Sequence, residues 1–133
     1  MIEDCIFSVL SSAPELQEYN AGGVYPILAP QKKTGWHLTY QQISEPEPID
    51  DEAPREARWQ INVVPPHGYG SPSYRAAKQG AKAVQDVLKN FTGGAEFGVC
   101  IEQIRFENQA DVNDQSTETF FVAQDYIIKY FEV

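Results

Sequence analysis

The chain of 133 residues is long enough for one compact domain with a core and too short for two ordinary ones. Its 42% hydrophobic and 22% charged residues are ordinary globular usage, which excludes wholesale disorder and a fibrous repeat. Ten basic residues against nineteen acidic ones give a formal net charge of -9, which excludes gripping phosphate backbones by bulk electrostatics but not through a local basic patch.

The elements follow in chain order. Ile2, Cys5, Ile6, Val9 and Leu10 recur at helical spacing, and Glu3 and Asp4 sit in the first turn where the macrodipole favours negative charge, so a short helix is predicted up to about Pro14. Gly22-Gly23 turns the chain into a short run from Val24 to Leu28, which Pro26 restricts to a sheet edge or a strand start. From Trp36 to Ser44 the residues alternate: Trp36, Leu38 and Tyr40 inward; His37, Thr39 and Gln41 outward. Arg58 to Val64 repeats the pattern with Trp59, Ile61 and Val63 inward. Between these strands EPEPIDDEAPRE, residues 45–56, carries six acids, three prolines and one base, and reads as a long, mobile hairpin connection.

After PPHGYG, Ser71 is a good N-cap and Pro72 suits the first helical position. The long helix that follows puts Tyr74, Ala77, Ala81, Val84 and Leu88 on one stripe, with Arg75, Lys78, Lys82 and Lys89 about a third of a turn away; Gly93-Gly94 is its expected stop. Val99 to Phe106 and Thr119 to Val133 read as strands joined by a polar loop around Asp111 to Ser116. The last run is apolar on both sides, as in a central strand or one that a partner covers. The fold class expected is α+β: a single domain over 1–133, with an antiparallel sheet of about four to five strands, an N-terminal helix and one long helix packed on it.

No catalytic, cofactor or metal site is expected. Cys5 and Cys100 have no CxxC neighbours and read as buried reduced thiols, and the sequon Asn90-Phe91-Thr92 reads as chance. His37 and His67, thirty residues apart, read as a strand-surface and a turn histidine. GYGS at 68–71 lacks the P-loop lysine, no serine sits in a GxSxG elbow, and the acidic segment lacks the spacing of an EF-hand. No apolar run approaches the roughly 18 residues of a membrane span, and MIEDCIFSV puts acids where a signal peptide is positive, so the chain is expected in the cytosol of the cell that makes it.

What remains is surface. Glu45, Glu47, Asp50, Asp51 and Glu52 crowd one loop, Asp111 and Asp114 mark a second, and Arg75, Lys78 and Lys82 form a basic stripe. Such charges serve as a solvated face in many proteins. Opposite charges on different parts of one subunit are also what a head-to-tail assembly needs, and a ring results if the rotation closes.

VYPILAPQ at 24–31, a short polar gap and an aromatic-led strand ending QQIS at 41–44 resemble the start of the tail completion, or tail terminator, proteins of long-tailed bacteriophages and prophages. The resemblance continues through WQINVV at 59–64, SYRAAKQGAKAVQDVL at 73–88 and DYIIKYFEV at 125–133, departing at Gly35-Trp36, where the family often carries a proline, and in the length of 45–56. It implies a structural subunit of the virion that forms a homohexameric ring on the head-proximal end of the tail tube. Such a ring would end tube polymerisation, dock the head connector and use no cofactor. Implied partners are its own copies, the tail tube protein and the connector, with genomic DNA passing through a negative lumen without specific binding. The loops 45–56 and 107–118 would be contact surfaces that order on assembly. Two other readings stay open: a stopper or adaptor of the neck, and a small cytosolic α+β enzyme or ligand-binding module with its pocket beneath the 65–72 turn.

Overall fold

Apolar residues at helical spacing bury one side of the first helix, α1 (Ile2–Ser12), with Ile2, Cys5, Ile6 and Leu10 all out of water. The computed structural model describes residues 1–29, 35–48, 50, 52–66, 71–114 and 119–133, and the backbone alone of Ser71, Pro72, Asp114 and Thr119. His67 and most of the GYGS turn therefore lie outside the described residues, as do the side chains of Ser71 and Pro72, on which the expected N-cap rests. After a single 3-10 turn at Pro14–Leu16 come strands β1 (Val24–Pro26), β2 (His37–Ser44) and β3 (Arg55–Val64), the long helix α2 (Ser71–Lys89), and strands β4 (Val99–Asp114) and β5 (Thr119–Glu132). They form one five-stranded sheet in the order β1-β2-β3-β5-β4, with β5 inside it as its two apolar faces require.

The fold is α+β, but the sheet is mixed. β1 runs parallel to β2, Val24 beside Leu38 and Pro26 beside Tyr40, where an antiparallel sheet was expected. Residues 27–36 separate the two strands, longer than a tight hairpin turn, so both can start from the same end of the sheet. Pro26 lacks a donor, and Ile27 leaves the strand at φ 65°, a left-handed conformation that costs a β-branched residue energy; its N–H is tied to the Tyr40 carbonyl at 2.9 Å.

β4 corrects a second expectation. It does not end at Phe106 but pairs with β5 as far as Asp114 opposite Thr119, so most of the expected 107–118 loop is strand. Register shifts between Ile101 and Gln103 and between Phe106 and Asn108 break the two-residue alternation, and an edge strand with wet polar residues beyond Phe106 carries no apolar signal to restore it. Further corrections concern burial. His37 and Thr39, expected outward, are 6% and 5% exposed, because the Tyr25 ring lies edge-on 6.1 Å from the imidazole and Asn62 Nδ2 donates to Thr39 Oγ1 at 2.9 Å. Trp36 precedes the strand and is half-buried, edge-on to Tyr19 at 5.2 Å. Cys100 is exposed, on the sheet face away from the helices, whereas Cys5 is buried as expected and its thiol is pushed up to about 11 by burial and by nearby Glu96.

Both helices cover one sheet face, where Leu38, Trp59, Ile61, Ile101, Tyr126 and Ile128 meet Ala77, Ala81, Val84 and Leu88. Gly80 is required where α2 meets the segment after α1, since a Cβ there would stand 2.8 Å from the Tyr19 ring. α2 stops at Lys89, before Gly93-Gly94. Those glycines instead hold positive φ, Gly93 bridging to Ile101 and Gly94 leaving room for the Cys5 sulfur, 2.9 Å from where its Cβ would be. The centre of the helix–sheet seam is polar. Gln124, fully buried, donates from Nε2 to the Ala81 carbonyl and to Gln109 Oε1, each at 2.9 Å, and its Oε1 accepts from the Tyr126 hydroxyl at 2.9 Å.

Candidate interaction surface

The acids of 45–56 hang from one end of the sheet, where β2 ends and β3 begins. Glu45 is anchored there and is not part of a mobile loop. Its carboxylate accepts from the Tyr130 hydroxyl and lies 3.5 Å from Arg55 Nη1, while Arg55 Nε also meets Glu132 at 3.5 Å. Burial, and then the hydrogen bond and charge of Glu45, raise the Tyr130 hydroxyl well above the ordinary tyrosine range, so it stays a donor. Asp50 closes a local turn by accepting from the N–H groups of Glu52 and Ala53 at 2.8 and 2.9 Å. Glu47, Asp50 and Glu52 are exposed, and Asp51 lies outside the described residues. A cleft of about 350 Å³ opens beside this anchor, lined by Met1, Glu3, Gln42, Glu45, Tyr130 and Glu132. It lies at the opposite end of the sheet from residues 65–66; most of the 65–72 turn, beneath which the ligand-binding reading expected a pocket, lies outside the described residues.

The first turns of α2 sit at that opposite end. Val63 of β3 and Asp111 of β4 both pair with Val122, and α2 is latched to this level of the sheet. Lys78 Nζ reaches Asp111 at 2.5 Å and lies 5.4 Å from the centre of the Tyr74 ring, the Tyr74 hydroxyl donates to Asp111 at 2.9 Å, and the ring tilts against Phe120 at 5.6 Å. Their mutual hydrogen bond holds the Asp111 carboxyl below its ordinary range and raises the Lys78 ammonium. Tyr74 was expected on the buried stripe and is 47% exposed, because this latch turns its ring toward the hairpin and not into the core.

The structure thus brings together two predicted contact residues, Lys78 and Asp111, within one chain. Lys82 pairs on its own helix with Asp86 at 2.7 Å, Arg75 is exposed, and only the backbone of Asp114 is described. Sequence reasoning missed Tyr74 and Glu45 as anchors, since neither Tyr74–Asp111 nor Tyr130–Glu45 is marked by local spacing. Among the described residues no three His, Cys, Asp or Glu side chains gather as metal ligands, and no helix is long and apolar enough to cross a membrane.

The family model described as Tail completion protein gp17 matches residues 4–130. The chain belongs to that family. It is a structural protein of a phage tail, as the VYPILAPQ, WQINVV and DYIIKYFEV segments led one to expect, and the family is not one of enzymes. No curated protein matches the chain. Among solved structures, a chain described as "Virion of native gene transfer agent (GTA) particle" superposes with a TM-score of 0.65 at 14% identity, covering 94% of this chain and 90% of that one. At that identity the likeness speaks for the fold.

Proposed function

We propose that this tail completion protein is the tail terminator subunit: copies close into a hexameric ring on the head-proximal end of the tail tube, stop its polymerisation and dock the head connector. The observation that carries the reading is the family match across nearly the whole chain. The structure supports it through a rigid sheet with an acidic loop at one end and a helix start at the other, unlike surfaces that a head-to-tail contact requires. The virion's tail or neck is the place of action, after synthesis in the host cytoplasm. Its partners are further copies, the tube protein and the connector, with Glu47, Asp50, Asp51, Glu52 and Asp114 among the contact residues. The genome passes a lumen whose negative charge, drawn from the excess of nine acids, keeps phosphates from settling on the wall.

A null allele in the phage tests this. We expect full heads that carry no tails, beside tail tubes of uncontrolled length, both corrected by supplying the protein in trans. Tails of normal length on infectious particles would refute the proposal.

A further inference from the structure

Every described lysine and arginine but one lies within 4.0 Å of a carboxylate of its own chain. The exception among the described residues is Arg75, exposed on the first turns of α2 beside Tyr74. Neighbouring Lys78 spends its charge on Asp111. At the other end of the sheet Glu47 and Glu52 are exposed, with no ion pair among the described residues. β3 runs from one end to the other over Arg55–Val64, 10 residues, or about 30 Å at roughly 3.3 Å per residue. The Debye length at physiological salt is about 8 Å, so Arg75 and those acids do not feel each other within one subunit.

We propose that Arg75 is the cation of the self-assembly contact, docking on the acidic β2–β3 connection, through Glu47 and Glu52, of a second copy of this chain. The inference rests on the ring reading and adds which residues close the contact. Charge complementarity selects the occupant. The chain supplies exposed unpaired acids in excess and one described arginine left to meet them, on surfaces that cannot neutralise each other internally. The base is also presented rigidly. Tyr74 is clamped by Phe120, Asp111 and Lys78, so the turn that carries Arg75 is ordered before the partner arrives and loses little freedom on docking. An exposed tyrosine beside an arginine is the composition that centres many protein interfaces. A nucleic acid fits poorly, since one arginine on a chain of net charge -9 faces strong repulsion from phosphates.

The test is a charge swap on the full chain, read by sedimentation velocity and native mass spectrometry over a range of protein concentrations. We expect Arg75→Glu to raise the concentration needed for assembly at least tenfold while leaving the melting temperature unchanged, and Arg75→Ala to do so less. Glu47→Arg with Glu52→Arg should weaken assembly alike, and joining these changes to Arg75→Glu should restore it. Wild-type assembly by Arg75→Glu would overturn the inference while leaving the ring reading intact. Two defective reversals that fail to rescue each other would overturn it too, pointing to a partner other than a second copy. A wild-type chain that neither self-associates nor caps purified tail tubes would sink the ring reading itself, and this contact with it.

Discussion

Gln124 ties α2, which carries Tyr74, Arg75 and Lys78, to the sheet through the Ala81 carbonyl, so replacing it tests how the candidate surface is held. Gln124→Leu keeps the side-chain volume but removes the donor to Ala81 and to the part-buried Gln109 Oε1, and the acceptor of the Tyr126 hydroxyl. Tyr126 is 1% exposed, and burial raises its hydroxyl well above the ordinary tyrosine range, so the orphaned O–H stays protonated and finds no water. An unsatisfied buried hydroxyl costs about 1–3 kcal/mol and a lost hydrogen bond about 1, while the added apolar burial of leucine returns about 1, for a net loss of about 2 kcal/mol. Tyr126→Phe alone strands the Gln124 Oε1 and costs about 1 kcal/mol. Independent effects would sum to about 3 kcal/mol; with both partners gone, however, no polar atom is stranded at that contact, and the double variant should lose only about 1, a coupling of about 2 kcal/mol. Urea unfolding measures this, with the midpoint of Gln124→Leu falling by about 1 M at an unchanged slope. Additive losses in the double variant would show instead that the Tyr126 hydroxyl does not depend on Gln124 for its acceptor.

Three further predictions concern the surface. Asp111, with its carboxyl lowered by the Lys78 hydrogen bond, contributes stability that is present above the ordinary carboxylate value near pH 4 and lost as pH falls below it; Asp111→Asn should flatten the acid limb of a stability-versus-pH curve, and an unchanged limb would argue against the latch. Ile27→Gly relieves a left-handed β-branched residue worth about 1–2 kcal/mol of strain but adds about 1 kcal/mol of chain entropy, so thermal unfolding should move little or upward; a loss above about 2 kcal/mol would show that the 58% exposed side chain makes a contact that matters. Reversal of charge at Asp51 and Glu52, with the turn-closing Asp50 left in place, should weaken assembly while circular dichroism and melting stay those of the wild type. A variant that fails to fold would show that the loop belongs to the core.

Where one apolar face meets one period, the sequence was legible. α1, the buried part of α2 and the inward set Trp59, Ile61 and Val63 all sit as their spacing requires. The interior place of β5 followed from its two greasy sides. β4 was underestimated because its two bulges shift the alternation and its outer half faces water on an edge, where hydrophobic pattern has nothing to report. The parallel pairing of β1 was hidden because three residues ending in proline carry no sign of direction. At the surface, the charges were legible as a list but not as pairs. Lys78 meets Asp111 across 33 residues, and only the register of β4 on β5 brings them level, so the stripe that read as three free cations holds one.

The proposed terminator would act as copies around an axis. Native mass spectrometry of the purified chain, followed by electron microscopy of the species found, counts those copies. We expect a closed ring of six, formed by the free protein or on the ends of added tail tubes. A two-fold dimer, or a monomer that leaves tube ends bare, would contradict it.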